Sequence, residues 1–178
     1  MQAVIIRHGK VNFQWNKFCT SRQFNEDCKM YDNAPIFSSL YNTPRIDYQD
    51  IYISSLSRSR ETATQLFGEK DFISTELIDE VPLCASITSR KKLPLIFWNV
   101  SGRLQWFFNI SLQKECRKQT IRRAEQFVEM IIQNDNDCII ITHGFFMHTL
   151  LIEMKKKSFK ISHARFSYSN GKWVVAQR

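Results

Sequence analysis

The chain has 178 residues, of which 43% are hydrophobic and 13% aromatic; this suits one domain built on one apolar core, argues against disorder and leaves little room for a second domain. Lys and Arg number 25 against 17 Asp and Glu, a formal charge of +8, so the surface draws anions such as phosphorylated metabolites, phosphoproteins or nucleic acids without choosing among them. Five cysteines with no C-x-x-C pair fit neither a disulfide framework nor a zinc ribbon, the apolar run after Met1 is too short for a secretory signal, and no stretch approaches the ~20 apolar residues of a membrane span; a cytoplasmic protein with no membrane partner is expected.

Ala3-Val4-Ile5-Ile6 is a continuous apolar run that stops at Arg7, His8 and Gly9, the pattern of a strand buried on both faces of a sheet. Residues 10–50 are irregular, with two prolines and scattered aromatics, and predict a long loop with one short helix near 21–27. Residues 50–53 predict a second buried strand. Ser54-Ser55-Leu56-Ser57 then supplies hydroxyls suited to capping a helix over 58–67, which Gly68 ends. Residues 72–75 predict a short third strand, and Pro82 keeps 77–82, with Glu80, in a loop.

Residues 93–110 crowd Trp98, Trp106 and many aliphatic and Phe side chains together with few charges. They form either a helical excursion over the site, with 82–112 as a lid or insertion, or a core helical pair, the commoner fate of aromatic stripes at helical spacing. Residues 113–133 predict an amphipathic helix. Residues 137–142 are another apolar strand, ending at His143-Gly144 as the first ends at His8-Gly9. Residues 145–154 predict a helix, and 164–168 with 172–176 a hairpin about Asn170-Gly171.

Strands alternating with helices imply an α/β fold: a three-layer sandwich over residues 1–178, with a mostly parallel central sheet flanked by helices and ligands bound at the carboxyl ends of the strands. Arg7, His8 and His143 fall at such ends, and Arg58 follows another. Guanidiniums offer forked donors to phosphate oxygens, and a neutral imidazole is a nucleophile. Two arginines, two histidines and a nearby carboxylate suit phosphoryl transfer, where the enzyme positions the group and stabilises its spreading charge.

Four stretches then resemble the histidine phosphatase superfamily, which includes cofactor-dependent phosphoglycerate mutases and small phosphatases. Ile5-Ile6-Arg7-His8-Gly9 resembles its opening motif, the run from Ser54 through Arg58 to Ala63 its second arginine motif, and Ile141-Thr142-His143-Gly144 its second histidine motif. Glu80 stands where the acid of many members stands. The resemblance implies a phosphatase acting on phosphate monoesters without a metal or other cofactor. In it His8 attacks phosphorus, Arg7, Arg58 and His143 bind the phosphoryl oxygens, and Glu80 protonates the leaving oxygen. The chain departs from the motif at Val11 and Gln14, where threonine and asparagine are usual; Gln14 can still offer an amide to phosphate, whereas Val11 cannot.

Other readings compete. A mutase differs only in returning the phosphoryl group to substrate, and the chain is short for one. A phosphate-ligand binding module would keep the pocket without turnover. A metal hydrolase lacks an H-x-H or H-E-x-x-H cluster, and a nucleic-acid-binding domain lacks interleaved basic and aromatic residues. His148 and His163, with no preceding apolar strand or following glycine, read as structural, Arg60 as solvent-facing and Glu61 as favouring a helix N-terminus. The expected partner is a small phosphorylated substrate or a phosphoprotein; oligomeric state is not legible.

Overall fold

The first apolar run lies in the middle of a sheet that has six strands among the described residues. In the computed structural model, which describes residues 1–39, 41–44, 47–110, 112–162 and 169–178, strand β1 (Gln2–Arg7) runs parallel to β6 (Cys138–Thr142), β6 parallel to β3 (Asp50–Ser54), and β3 parallel to β4 (Ile73–Thr75). On its other side β1 pairs antiparallel with β8 (Trp173–Gln177), and β8 with β7 (Lys160–Ile161), so the order is β4-β3-β6-β1-β8-β7. The three central strands are apolar on both faces because helices cover both. Ala3, Ile5, Tyr52 and Ile140 face α4 (Arg117–Asn134) and α5 (Gly144–Lys156), while Val4, Ile6, Ile53, Ile139 and Ile141 face α2 (Ser57–Phe67). The α/β sandwich with a mostly parallel sheet is the fold expected.

The segment 10–50 holds more structure than the predicted loop. Helix α1 (Ser21–Asn33) runs six residues beyond the expected 21–27. Its start is fixed by a capping box between Thr20 and Gln23, and Phe24 anchors it in a small second core with Cys19 and Trp98. The short pair β2 (Phe18–Cys19) and β5 (Leu93–Pro94) ties this unit to the next helix. Helix α2 begins at Ser57 with no side-chain cap: the hydroxyls of Ser54 and Ser55 bond to Asp79 instead. A 3-10 turn, Glu76–Ile78, precedes Glu80, which lies in irregular chain as expected.

Residues 93–110 give one helix, α3 (Leu95–Phe107), rather than a core pair. Trp98, Gly102 and Trp106 are its buried side, and Trp98 stacks on Phe24 at 5.8 Å between centroids. Leu95, Asn99 and Arg103 face a cavity, and Ile96, Phe97, Val100, Leu104 and Phe107 are apolar and exposed. The hairpin is partly seen. Gly171, at φ 73°, makes its turn and β8 its second arm, whereas 164–168 and His163 lie outside the described residues. His148 sits exposed on α5.

Ile5→Ala or Ile140→Ala removes a fully buried side chain from the sheet's centre and should lower the unfolding free energy by about 2–5 kcal/mol, as read from urea melts.

Candidate active site

Parallel pairing of β3, β6 and β1 sets three carboxyl ends side by side: Arg7 is opposite Thr142, and Ile53 opposite Ile141. The residues that follow each strand therefore converge. His8 follows β1, His143 follows β6, and Arg58 enters from the first turn of α2 behind β3. The two imidazoles lie 4.9 Å apart between centroids, tilted by 53°.

Each ring has one tautomer consistent with its partners. His8 Nδ1 is 2.7 Å from the carbonyl oxygen of Gly9, which can only accept, so Nδ1 carries the proton and Nε2 keeps a lone pair. Arg58 Nε donates to His143 Nδ1 at 3.2 Å, so the proton of His143 is on Nε2, 2.7 Å from Ser54 Oγ. Ser54 in turn donates to Asp79 Oδ1 at 2.6 Å. A chain of four groups thus runs Asp79, Ser54, His143, Arg58. The sequence motifs mark neither Ser54 nor Asp79 as a site residue; a serine closing a strand one turn before an arginine is the available signal.

Burial holds both imidazoles neutral. Desolvation first, then the charges of Arg58 and Arg7, push the His8 pKa down to about 3, against a raising contribution from the Gly9 carbonyl. His143 is shifted down in the same sense, by desolvation, then by His8 and Arg58. Arg58 is itself 1% exposed. Its Nη1 donates to Asp32 Oδ1 at 3.0 Å, and the ring of Tyr31 lies 5.2 Å from Cζ. Asp32 and Tyr31 are adjacent at the end of α1, so the segment expected as loop supplies the counter-ion of the central arginine. An acid in the last turn of a helix opposes the helix dipole, so Arg58 accounts for Asp32 better than helix stability does.

A cavity of about 990 Å³ lies beside the two imidazoles, walled by Arg7, Arg58, Asp32, Asp79, Glu80 and Arg103 among others; the buried His8 and His143 are not in its wall. Glu80 takes three backbone N–H bonds: Oε1 from Val81 at 2.9 Å and Phe146 at 3.0 Å, and Oε2 from Phe145 at 3.3 Å. The carboxylate therefore sits on the N-terminus of α5. A β-carbon on Gly144 would lie 2.9 Å from Cζ and Nε of Arg7, so that glycine is the space in which the Arg7 guanidinium rests. Gln14 is exposed and stands apart from this wall. Val11 is buried and bridges to Ile36, a packing residue where the family motif has a hydroxyl.

Two further groups hold the His8 loop. Gly9 N–H donates to Thr62 Oγ1 at 2.8 Å, which donates to the carbonyl of Arg58 at 2.6 Å, and Asn170 Nδ2 donates to the carbonyl of His8 at 2.9 Å. Arg60 is exposed and Glu61 accepts from Ile36 N–H at 2.8 Å. Among the described residues, no three side chains of the His, Cys, Asp and Glu types converge as metal ligands.

The profile of the histidine phosphatase superfamily (branch 1) matches residues 3–177. The chain belongs to that superfamily. No curated protein sequence matches it. Its fold is similar to a mutant phosphoserine phosphatase from Entamoeba histolytica in complex with phosphoserine (TM-score 0.55, 15% identity, 98% of this chain and 89% of that one). It is similar also to the alpha-ribazole phosphatase of Shigella flexneri (0.56, 13%, 98% and 89%) and to a mycobacterial glucosyl-3-phosphoglycerate phosphatase in complex with VO3 (0.53, 14%, 98% and 91%). At these identities the likeness is one of fold.

Two outcomes are expected. The unfolded chain binds a proton at His8 near pH 6.5 and the folded chain only near pH 3. Between those values the unfolded state holds the extra proton, so stability falls as pH is lowered through that window, and thermal midpoints measured down the series should drop, less steeply in His8→Asn. Ser54→Ala and Asp79→Asn should each lower kcat by about tenfold, and the double variant by no more than either alone, because both act through one hydrogen-bonded chain.

Proposed function

We propose that this histidine phosphatase hydrolyses phosphate monoesters through a phosphohistidine on His8. What carries the reading is the lone pair left on His8 Nε2 once Nδ1 is fixed by the Gly9 carbonyl, beside two guanidiniums that face a cavity large enough for a small phosphorylated molecule. Nε2 attacks phosphorus, the N–P bond forms and the P–O bond to the leaving group breaks. Arg7 and Arg58 hold the equatorial oxygens. His143, with both ring nitrogens engaged by Ser54 and Arg58, acts on the anion through the aim of the Arg58 fork. The leaving oxygen takes its proton from Glu80, whose Oε2 is held by the one long bond from Phe145 and is the freer oxygen. A water then attacks phosphorus, gives its proton to Glu80 and releases inorganic phosphate with neutral His8 restored.

The likeness to phosphatases acting on phosphoserine, alpha-ribazole phosphate and glucosyl-3-phosphoglycerate supports hydrolysis of small phosphorylated metabolites. Five free thiols support a reducing compartment, the cytoplasm.

Purified protein should release phosphate from p-nitrophenyl phosphate without isomerising phosphoglycerate, and activity should survive chelators. It should vanish in His8→Ala, and acid-labile, base-stable phosphate should be trapped on the wild type alone. Glu80→Gln should lose about 10²-fold with alkyl phosphates and far less with the nitrophenyl ester. Normal turnover by His8→Ala would end the proposal.

A further inference from the structure

Helix α3 is mostly apolar, with Asn99, Ser101, Arg103 and Gln105 as its polar side chains, and large apolar side chains of a helix are ordinarily buried in a core or in lipid. Here only one side is buried. Trp98, Gly102 and Trp106 point into the protein, while the opposite stripe meets solvent: Ile96 is 67% exposed, Val100 50%, Leu104 51% and Phe108 66%. These positions recur every four residues, so they form one continuous ridge along the helix rather than scattered surface contacts.

The charge around the ridge has one sign. From Val81 to Lys114 the chain contains no Asp or Glu, and its cations include Arg90, Lys91 and Lys92 just before the helix and Lys114 just after it. Arg117 and Lys118 follow, exposed. The Arg117 guanidinium lies 4.6 Å from the centre of the Phe107 ring, so the basic end is continuous with the apolar ridge. Glu115, the acid next along the chain, is held by Arg123 at 2.8 Å.

We propose that α3 is an interfacial helix that docks this protein on an anionic lipid surface, ridge in the acyl boundary and both basic ends among the headgroups. Apolar residues on one side with Lys and Arg at the margins are what such an interface selects. A second copy is a poorer match. Parallel or antiparallel pairing of two α3 ridges sets cations on cations, with no acid in the segment to meet them. Nucleic acid would meet the cations and could stack on Phe108, but it leaves the aliphatic Ile96, Val100 and Leu104 of the ridge uncovered. The expectation of no membrane partner considered spanning segments only, and among the described residues no helix is long and apolar enough to cross a membrane; an interfacial helix needs no span.

The test is flotation of the purified protein, without substrate, on vesicles of phosphatidylcholine alone or mixed with phosphatidylglycerol, alongside light scattering for oligomeric state. The mixed vesicles should carry the protein and the neutral ones at least about tenfold less. Binding should fall about tenfold in Lys91→Gln/Lys92→Gln, be lost in Ile96→Asn/Phe108→Ser, and weaken at about 1 M salt, where the Debye length is about 3 Å. All these side chains are exposed, so circular dichroism and phosphatase activity should match the wild type. Equal binding to both vesicles, or none to either, overturns the proposal. So does a dimer that Ile96→Asn/Phe108→Ser dissociates while vesicle binding is absent, which would give the ridge to a second copy.

Discussion

A guanidinium withdrawn from water must be met on every side or the fold loses several kcal/mol to it, and the placing of Arg58 organises this molecule. Its Nε is met by His143, one terminal nitrogen by Asp32, and its face by the ring of Tyr31. These partners come from the end of β6 and the end of α1, so a single charge fastens the helix over the sheet. Asp32 meets only one of the two terminal nitrogens of the arginine, and its carboxylate and the Arg58 guanidinium both stand in the cavity wall.

Much of this was legible in the chain itself. Apolar runs at 3–6, 50–53 and 137–142 became adjacent parallel strands because a strand buried on both faces has no polar side to show. The His-Gly pairs closing two of them converge because neighbouring parallel strands end at one edge. What the chain did not disclose was long-range. Nothing near Asp79 reveals that it receives Ser54 and Ser55, and nothing near Asp32 reveals that it will meet a residue of α2. Helix α1 is longer than its sequence suggests because its apolar spacing is sparse: Phe24 enters a core, but Asp27 is buried only through Asn16, a bond between side chains eleven residues apart.

Helix α3 shows the opposite difficulty. Its composition is mostly apolar, and composition cannot tell which part of it meets protein. The structure resolves that into Trp98 against Phe24, Arg103 toward the cavity, and an outer ridge in solvent. The cavity wall and the outer ridge are thus two faces of one helix.

The hydrogen that stands for a side chain at Gly144 has a role of its own. Its neighbour His143 could tolerate many successors on backbone grounds, yet the volume beside that α-carbon already belongs to the head of Arg7. A methyl group there would evict a cation without disturbing a single core contact. The absence of a side chain at Gly144 thus answers to the place of Arg7 rather than to the backbone of its own helix.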